Sequence, residues 1–262
     1  MFWRRSTSIR QWLPKLQAHR GYWVEGLQQN SLRSVQEAYR RGYKMAEFDV
    51  RLTSDQVTVL FHDEHYQDTF LFQTSYDGFK SHISIEFPDL SKLEDVFSWM
   101  KAEKKNNPDF DFKLNVEIKS KKILNGKLEN QVCQLIDKFN LVDFVLISSF
   151  NPFALFRVRR LNSKIRRALL VTHSEESNFV LNSLILNCLA WPDVLHLRWN
   201  DLSHDLVNRL QGRVPIVLWT VNDLSDIKKF EGQIDGVISD RLTPLDFEKF
   251  KTAEIKTKAK AD

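Results

Sequence analysis

Cysteine is scarce in this chain: only Cys133 and Cys188 occur among 262 residues, without CxxC spacing. A zinc ribbon or a disulfide framework is thereby excluded, and a reducing, cytoplasmic setting is expected. Long apolar runs are missing as well. Nowhere do about 18 apolar residues follow one another, the length a spanning helix needs. The basic start, Met1-Phe2-Trp3-Arg4-Arg5, has no apolar stretch behind it, because Ser6, Thr7, Ser8, Arg10 and Gln11 interrupt. A cleavable signal is therefore not expected. Charge of neither sign dominates, since 38 Lys and Arg face 34 Asp and Glu for a net +4. Without a basic stripe, nucleic acid is not an expected partner. No Pro/Gly/Ser-rich linker and no internal repeat divides the chain. One principal domain is expected over 16–250, preceded by an arm over 1–15 and followed by a Lys-rich tail over 251–262.

What is present is an alternation of short apolar runs with longer helix-patterned segments. Strands are expected at Leu16–Arg20, Met45–Leu52, Val57–His62, Lys113–Lys119, Phe144–Phe150, Arg167–Val171, Val194–Trp199, Pro215–Val221 and Gly236–Ser239. Helices are expected at Ser31–Arg41, Leu90–Lys101, Lys127–Phe139, Pro152–Leu161, Glu175–Asn187, Ser203–Gln211 and Leu224–Phe230. Repeated βα units with continuous apolar strands specify a parallel sheet with helices outside. Only Thr53-Ser54-Asp55-Gln56 joins the second strand to the third. A parallel crossover needs about a dozen residues, so this pair is an antiparallel hairpin. The eight remaining strands suit an α/β fold of the (βα)8 TIM-barrel type, whose usual size is about 250 residues. A short aromatic insertion over 63–87, with Tyr66, Phe70, Phe72, Tyr76 and Phe79, follows the hairpin as a lid or as a rim cap.

Polar residues interrupt the apolar frame at a few places. They are His19-Arg20-Gly21, Glu47-Phe48-Asp49, His62-Asp63 and the strand Asn115-Val116-Glu117-Ile118-Lys119. The period of two puts Glu47 and Asp49 on one strand face, and Asn115, Glu117 and Lys119 on another. A hairpin turn centred on Ser54-Asp55 sets His62 opposite Glu47, so Glu47, Asp49 and His62 are expected to converge while Phe48, Val50 and Phe61 point away. Buried charges must be paired or hold a metal. Glu47, Asp49 and Glu117 form an all-oxygen set suited to Mg²⁺ or Ca²⁺ rather than zinc; the alternative is a solvated strand face. His19 and His62 can serve as an acid–base pair. Arg20 offers a fork for phosphate oxygens and Lys119 a point charge, while Gly21 lets the backbone turn tightly over a bound group. His196 and Arg198 share a strand face, either reading the substrate or forming a local polar pair. The basic run Arg157, Arg159, Arg160, Lys164, Arg166 and Arg167 reads as solvated surface.

In order along the chain stand His19-Arg20-Gly21, Asn30-Ser31, Glu47-x-Asp49-Val50, His62-Asp63, Glu117-x-Lys119, Ser149-Phe150-Asn151, Trp219-Thr220-Val221-Asn222 and Gly236-Val237-Ile238-Ser239-Asp240. This series resembles the glycerophosphodiester phosphodiesterase family over nearly the whole chain. The resemblance implies a metal-dependent barrel hydrolase that splits glycerophosphodiesters into glycerol 3-phosphate and an alcohol. It implies His19 and His62 as acid–base residues, Glu47, Asp49 and Glu117 as ligands of a divalent cation, and Arg20 and Lys119 on the phosphate. Trp219 would line the pocket beside glycerol. Three places depart from the family pattern: Gln29 stands for its Glu, Glu64 to Phe70 for an Arg-Thr-Thr-like stretch, and Ser239-Asp240-Arg241-Leu242 for its Thr-Asp-x-Pro.

Two alternatives stand beside this reading. One is a phospholipase D-like or cyclising activity on lysophospholipids or sphingomyelin, motivated by the 63–87 insertion and the apolar arm. The other is a non-catalytic phosphoester-binding protein, motivated by Gln29. The arm, with Phe2, Trp3, Ile9, Trp12, Leu13 and Leu16 among basic residues, reads as a plug for the barrel bottom or as a membrane-surface helix. The expected partner is a small-molecule phosphodiester.

Overall fold

Eight parallel strands close on themselves, and this closure fixes where the site lies. A computed structural model describes residues 8–120, 125–172, 187–202, 204–230 and 232–249. β1 (Leu16–Ala18) pairs with β2 (Met45–Leu52) on one side and with β11 (Gly236–Ser239) on the other, so the barrel has no open edge. Between β2 and β11 run β6 (Lys113–Ile118), β7 (Val145–Ser149), β8 (Arg166–Val171), β9 (Val194–Arg198) and β10 (Ile216–Trp219), each parallel to its neighbours. β3 (Thr58–Leu60) hangs antiparallel on β2, and β4 (His65–Tyr66) with β5 (Thr69–Phe70) forms a separate hairpin. The chain is a TIM barrel with a hairpin and insertion after the second strand.

The strands are buried on both faces, which is why they read as continuous apolar runs. Outward-facing Phe48, Val50, Val116, Ile118, Ile147, Leu195 and Leu218 join one large core with the surrounding helices. α2 (Leu32–Arg40), α4 (Leu93–Asn106), α5 (Lys127–Phe139) and α6 (Pro152–Leu161) cover this face. In α4 the covering stripe is Leu93, Val96, Phe97 and Met100, the spacing of one helical face. Inward-facing Leu146, Ala168, Val194, Val217 and Ile238 form a second core with Ile9 and Leu13, which flank or belong to α1 (Ile9–Trp12). Those two side chains close the N-terminal end of the barrel. No helix among the described residues is long and apolar enough to cross a membrane.

Several expectations need correction. The hairpin register is Val50↔Leu60, Arg51↔Val59 and Leu52↔Thr58, one residue away from the expected pairing. Continued, it would set His62 opposite Phe48, on the wrong face. The last backbone bond to β2 is instead from the Phe61 N–H to the Asp49 carbonyl at 3.1 Å, and the chain then leaves the ladder with Arg51 Nε bonded to the His62 carbonyl at 2.8 Å. His62 thus enters the barrel mouth from a loop. Arg167 is not solvated surface: it is buried at the start of β8, donating to the carbonyls of Ile165, Ala190 and Trp191. In the insertion, Tyr76 and Phe79, on α3 (Tyr76–Ile83), pack with Phe61, Leu71 and Leu90 in a satellite core against the hairpin. The helix expected at Glu175–Asn187 falls, but for Asn187, outside the described residues.

Candidate active site

Adjacent strands in register build the centre. Glu47 lies beside Asn115 and Asp49 beside Glu117 across the β2–β6 ladder, so the alternation within each strand sends all three carboxylates inward. One oxygen from each of Glu47, Asp49 and Glu117 lies within 4.8 Å of the others, and all three residues are buried. Three like charges this close resist joint ionisation. Burial, reinforced by Asp49, pushes the Glu47 carboxyl up to about 8. Burial also raises Glu117, against the pull of Lys119. Asp49 goes the other way: Lys119 and Arg20 overcome burial and hold it well below the usual carboxylate range. Lys119 Nζ stands 2.6 Å from Glu117 Oε1 and 3.0 Å from Asp49 Oδ1. Glu47 Oε1 is buried without a hydrogen-bond partner. An all-oxygen, acid-rich, incompletely satisfied cluster fits a hard divalent cation.

The loop from β1 to α2 positions the next group. Ser31 and Ser34 cap α2 reciprocally, at 3.0 and 3.2 Å, and Ser34 Oγ donates to the Arg20 carbonyl at 3.0 Å. The Arg20 backbone is left-handed and its N–H donates to Glu47 Oε2 at 3.0 Å. Its guanidinium reaches Gln29 Oε1 at 3.0 Å and Asp49 Oδ2 at 3.4 Å. Gln29, the amide in place of the family Glu, still orients Arg20. Gly21 has φ +78°, and a Cβ there would meet Ser34 Oγ at 2.3 Å. The close approach of α2 by itself requires glycine here. Asn30 clasps Asp49 twice, donating to Oδ2 and accepting from the backbone N–H, both at 2.9 Å.

Each histidine is held by a carboxylate at Nδ1. His19 Nδ1 is 2.6 Å from Asp240 Oδ1, and His62 Nδ1 is 2.7 Å from Asp63 Oδ1. A proton on Nδ1 in each pair leaves Nε2 free to face the site; His19 Nε2 lies 3.8 Å from Glu47 Oε2. The two rings differ in charge preference. For His19, burial is overcome by Asp240 and Glu47, and its pKa rises. For His62, burial and Lys119 prevail over Asp49, and its pKa falls.

These groups line one cavity of about 490 Å³ at the C-terminal ends of the strands, where barrel active sites lie. All eight sequence-expected residues, His19, Arg20, Glu47, Asp49, His62, Glu117, Lys119 and Trp219, line it. Trp219 meets Phe150 edge-on, with ring centres 5.5 Å apart. The sequence reading assigned no role to Asn30, Asp63 or Asp240, although it quoted all three. Asn222, quoted there likewise without a role, donates from Nδ2 to Asp240 Oδ2 at 2.8 Å. The signal available was a carboxylate following each motif histidine or closing the final strand.

Comparison with known proteins agrees with this geometry. Residues 19–243 match the glycerophosphoryl diester phosphodiesterase family. The uncharacterized protein YqiK of Bacillus subtilis is 28% identical over 242 residues, covering 87% of this chain and 95% of that protein. The glycerophosphodiester phosphodiesterase of Caldanaerobacter subterraneus is 27% identical over 236 residues, covering 85% and 92%. The fold is shared with an Oleispira antarctica phosphodiesterase solved with the product sn-glycerol-3-phosphate, at TM-score 0.73, 24% identity, and 93% and 97% coverage. With its barrel, its acid cluster and this match over most of its length, the chain belongs to the glycerophosphoryl diester phosphodiesterase family.

Proposed function

We propose that this chain hydrolyses glycerophosphodiesters to glycerol 3-phosphate and an alcohol, with Mg²⁺ or Ca²⁺ held by Glu47, Asp49 and Glu117. The observation that carries the reading is the meeting of three buried carboxylates, two cationic side chains and two carboxylate-held imidazoles in one cavity. When bound, the cation supplies positive charge to a phosphate oxygen. Arg20 and Lys119, both anchored on Asp49, hold phosphate oxygens and offset the charge that builds on them. His19 and His62 exchange protons at Nε2, since Nδ1 is committed in both. His62 is assigned as the donor to the leaving oxygen on position, being the more exposed ring at 38% against 21% for His19; its lowered pKa makes it the stronger acid of the two once it carries the proton. Trp219 and Phe150 make an apolar wall for the glycerol carbons. The product bound to the Oleispira antarctica phosphodiesterase supports the same product here. The scarcity of cysteine, two in 262 residues, fits a reducing, cytoplasmic setting.

The lipid-cyclising alternative has weaker support, because Tyr76 and Phe79 of the insertion pack inward rather than over the cavity. The test is a panel of choline, ethanolamine, serine, inositol and glycerol headgroup diesters with either cation. Glycerol 3-phosphate should appear, carrying solvent ¹⁸O after one turnover. A cyclic phosphate product would favour the alternative, and no release from any diester overturns the reading.

A further inference from the structure

Six basic side chains line the cavity: His19, Arg20, His62, Lys119, His196 and Arg198. Four face a carboxylate: His19 has Asp240, His62 has Asp63, Arg20 has Asp49, and Lys119 has Asp49 and Glu117. His196 and Arg198 face none, and the Arg198 side chain has no hydrogen bond, ion pair or ring contact among the described residues. Its place is also distinct. Around the closed ring of strands, β9 stands four steps from β2 in either direction, directly across the barrel from Glu47 and Asp49. Arg198 adjoins Trp219 in register. Below it on the same inward face, His196 is completely buried with neither ring nitrogen partnered. Buried polar atoms without partners are rare and call for a ligand or an ordered water.

Charge counting turns this into a substrate statement, which rests on the diesterase reading above. A divalent cation with Arg20 and Lys119 exceeds the three carboxylates by one positive charge. The single negative charge of a phosphodiester cancels that excess. Arg198 then remains uncompensated, half-buried, on the wall that the phosphate does not occupy. A cationic headgroup such as choline would meet like charge there, whereas a second anion would complete the balance. We propose that Arg198, above His196, binds an anionic group on the substrate beyond the bridging phosphate, a carboxylate or a second phosphate, so that the preferred diesters carry an acidic alcohol.

A matched series tests this: the glycerol 3-phosphate esters of 3-hydroxypropanoate, propane-1,3-diol and choline, which differ in headgroup charge. The kcat/KM values should rank anionic, neutral, cationic. Arg198→Gln should lower the ratio of anionic to neutral kcat/KM about ten-fold, the scale of one charge-assisted hydrogen bond. Arg198→Lys should keep part of the preference, and Arg198→Glu should shift it toward the choline ester. Circular dichroism and thermal unfolding check that each variant is folded. Binding of the three esters to His62→Ala protein, by titration calorimetry, reads the same preference without turnover. Equal kcat/KM ratios in wild type and Arg198→Gln overturn the assignment while leaving the diesterase reading intact. No turnover of any ester by wild type overturns the diesterase reading, and Arg198 then stands or falls on the binding ranking.

Discussion

The two ends of the barrel handle buried charge in opposite ways. At the N-terminal end, Arg167 is completely buried yet satisfied by three carbonyls, and Asp193 accepts the Arg167 backbone N–H at 2.9 Å. Beside it the interior is sealed by Ile9 and Leu13. At the C-terminal end, Glu47, Asp49 and Glu117 crowd together, and Glu47 Oε1, Asn115 Oδ1, Ser148 Oγ, Trp219 Nε1 and both His196 nitrogens lack partners. One end is finished without a ligand. The other leaves polar atoms open to one, and that difference separates the two kinds of buried charge in this fold.

The sharpest break between the ends is loss of the cation. Chelation should abolish turnover, and Mg²⁺ or Ca²⁺ should restore it, because three carboxylates cannot hold a phosphodiester unaided. Glu117→Gln should raise the half-saturating cation concentration at least ~ten-fold. Full activity in excess chelator would remove the cation from the reaction.

Next in size are the imidazoles. His19→Ala and His62→Ala should each lower kcat by about 10²–10⁴-fold, the usual worth of positioned proton transfer. Cation affinity should change little, since neither ring belongs to the carboxylate set. Loss of His62 should matter less for an activated leaving group than for a choline ester. Equal losses on both substrates would show that His62 is not the donor.

Disturbing the other end should give the inverse pattern. Arg167→Ala leaves three carbonyls short of a donor and takes the guanidinium charge, 4.0 Å away, from buried Asp193, costing about 3–5 kcal/mol of stability. Leu13→Ala opens the plug and should cost about 2–4 kcal/mol. In both variants the cation requirement and KM of the folded protein should stay at wild-type values. A large KM change with little loss of unfolding free energy would contradict the division between the ends.

Much of this was legible in the chain. The eight barrel strands showed as apolar runs, and Glu47, Asp49 and Glu117 as polar residues on alternate positions. Their meeting at 4.8 Å needs only in-register neighbouring strands. What was hidden depended on exact chain paths. A one-residue difference in hairpin register inverts which face a residue occupies, and His62 reached the cavity only because the ladder ended at Phe61, just before it. Asp240, 221 residues from His19, is a partner that no local pattern can supply. Arg167 looked like part of a basic surface run because two of its carbonyl partners, on Ala190 and Trp191, lie 23 and 24 residues further along, leaving no mark in composition.

The smallest effect is also the most specific to the cation-free protein: its stability should depend on pH through groups at the C-terminal end. Glu47 is raised by burial to about 8 from an ordinary 4.5. Between these values the folded form binds a proton that the unfolded chain has released, so stability falls as pH rises through that window. His196 acts on the other side. Burial lowers it to about 3 from 6.5, so the unfolded chain binds the extra proton and stability is lost as pH falls through that interval. Urea unfolding in chelator should therefore show greatest stability where the two windows overlap and the opposing slopes cancel, from pH 4.5 to 6.5, on the acidic side of neutral. Glu47→Gln should flatten the loss above it, and His196→Gln the loss below it. Added Mg²⁺ or Ca²⁺ should also flatten the upper limb, because a bound cation favours ionised Glu47 in the folded state. An upper limb unchanged by both Glu47→Gln and cation would mean that the carboxylate cluster does not carry the strain of its own charge.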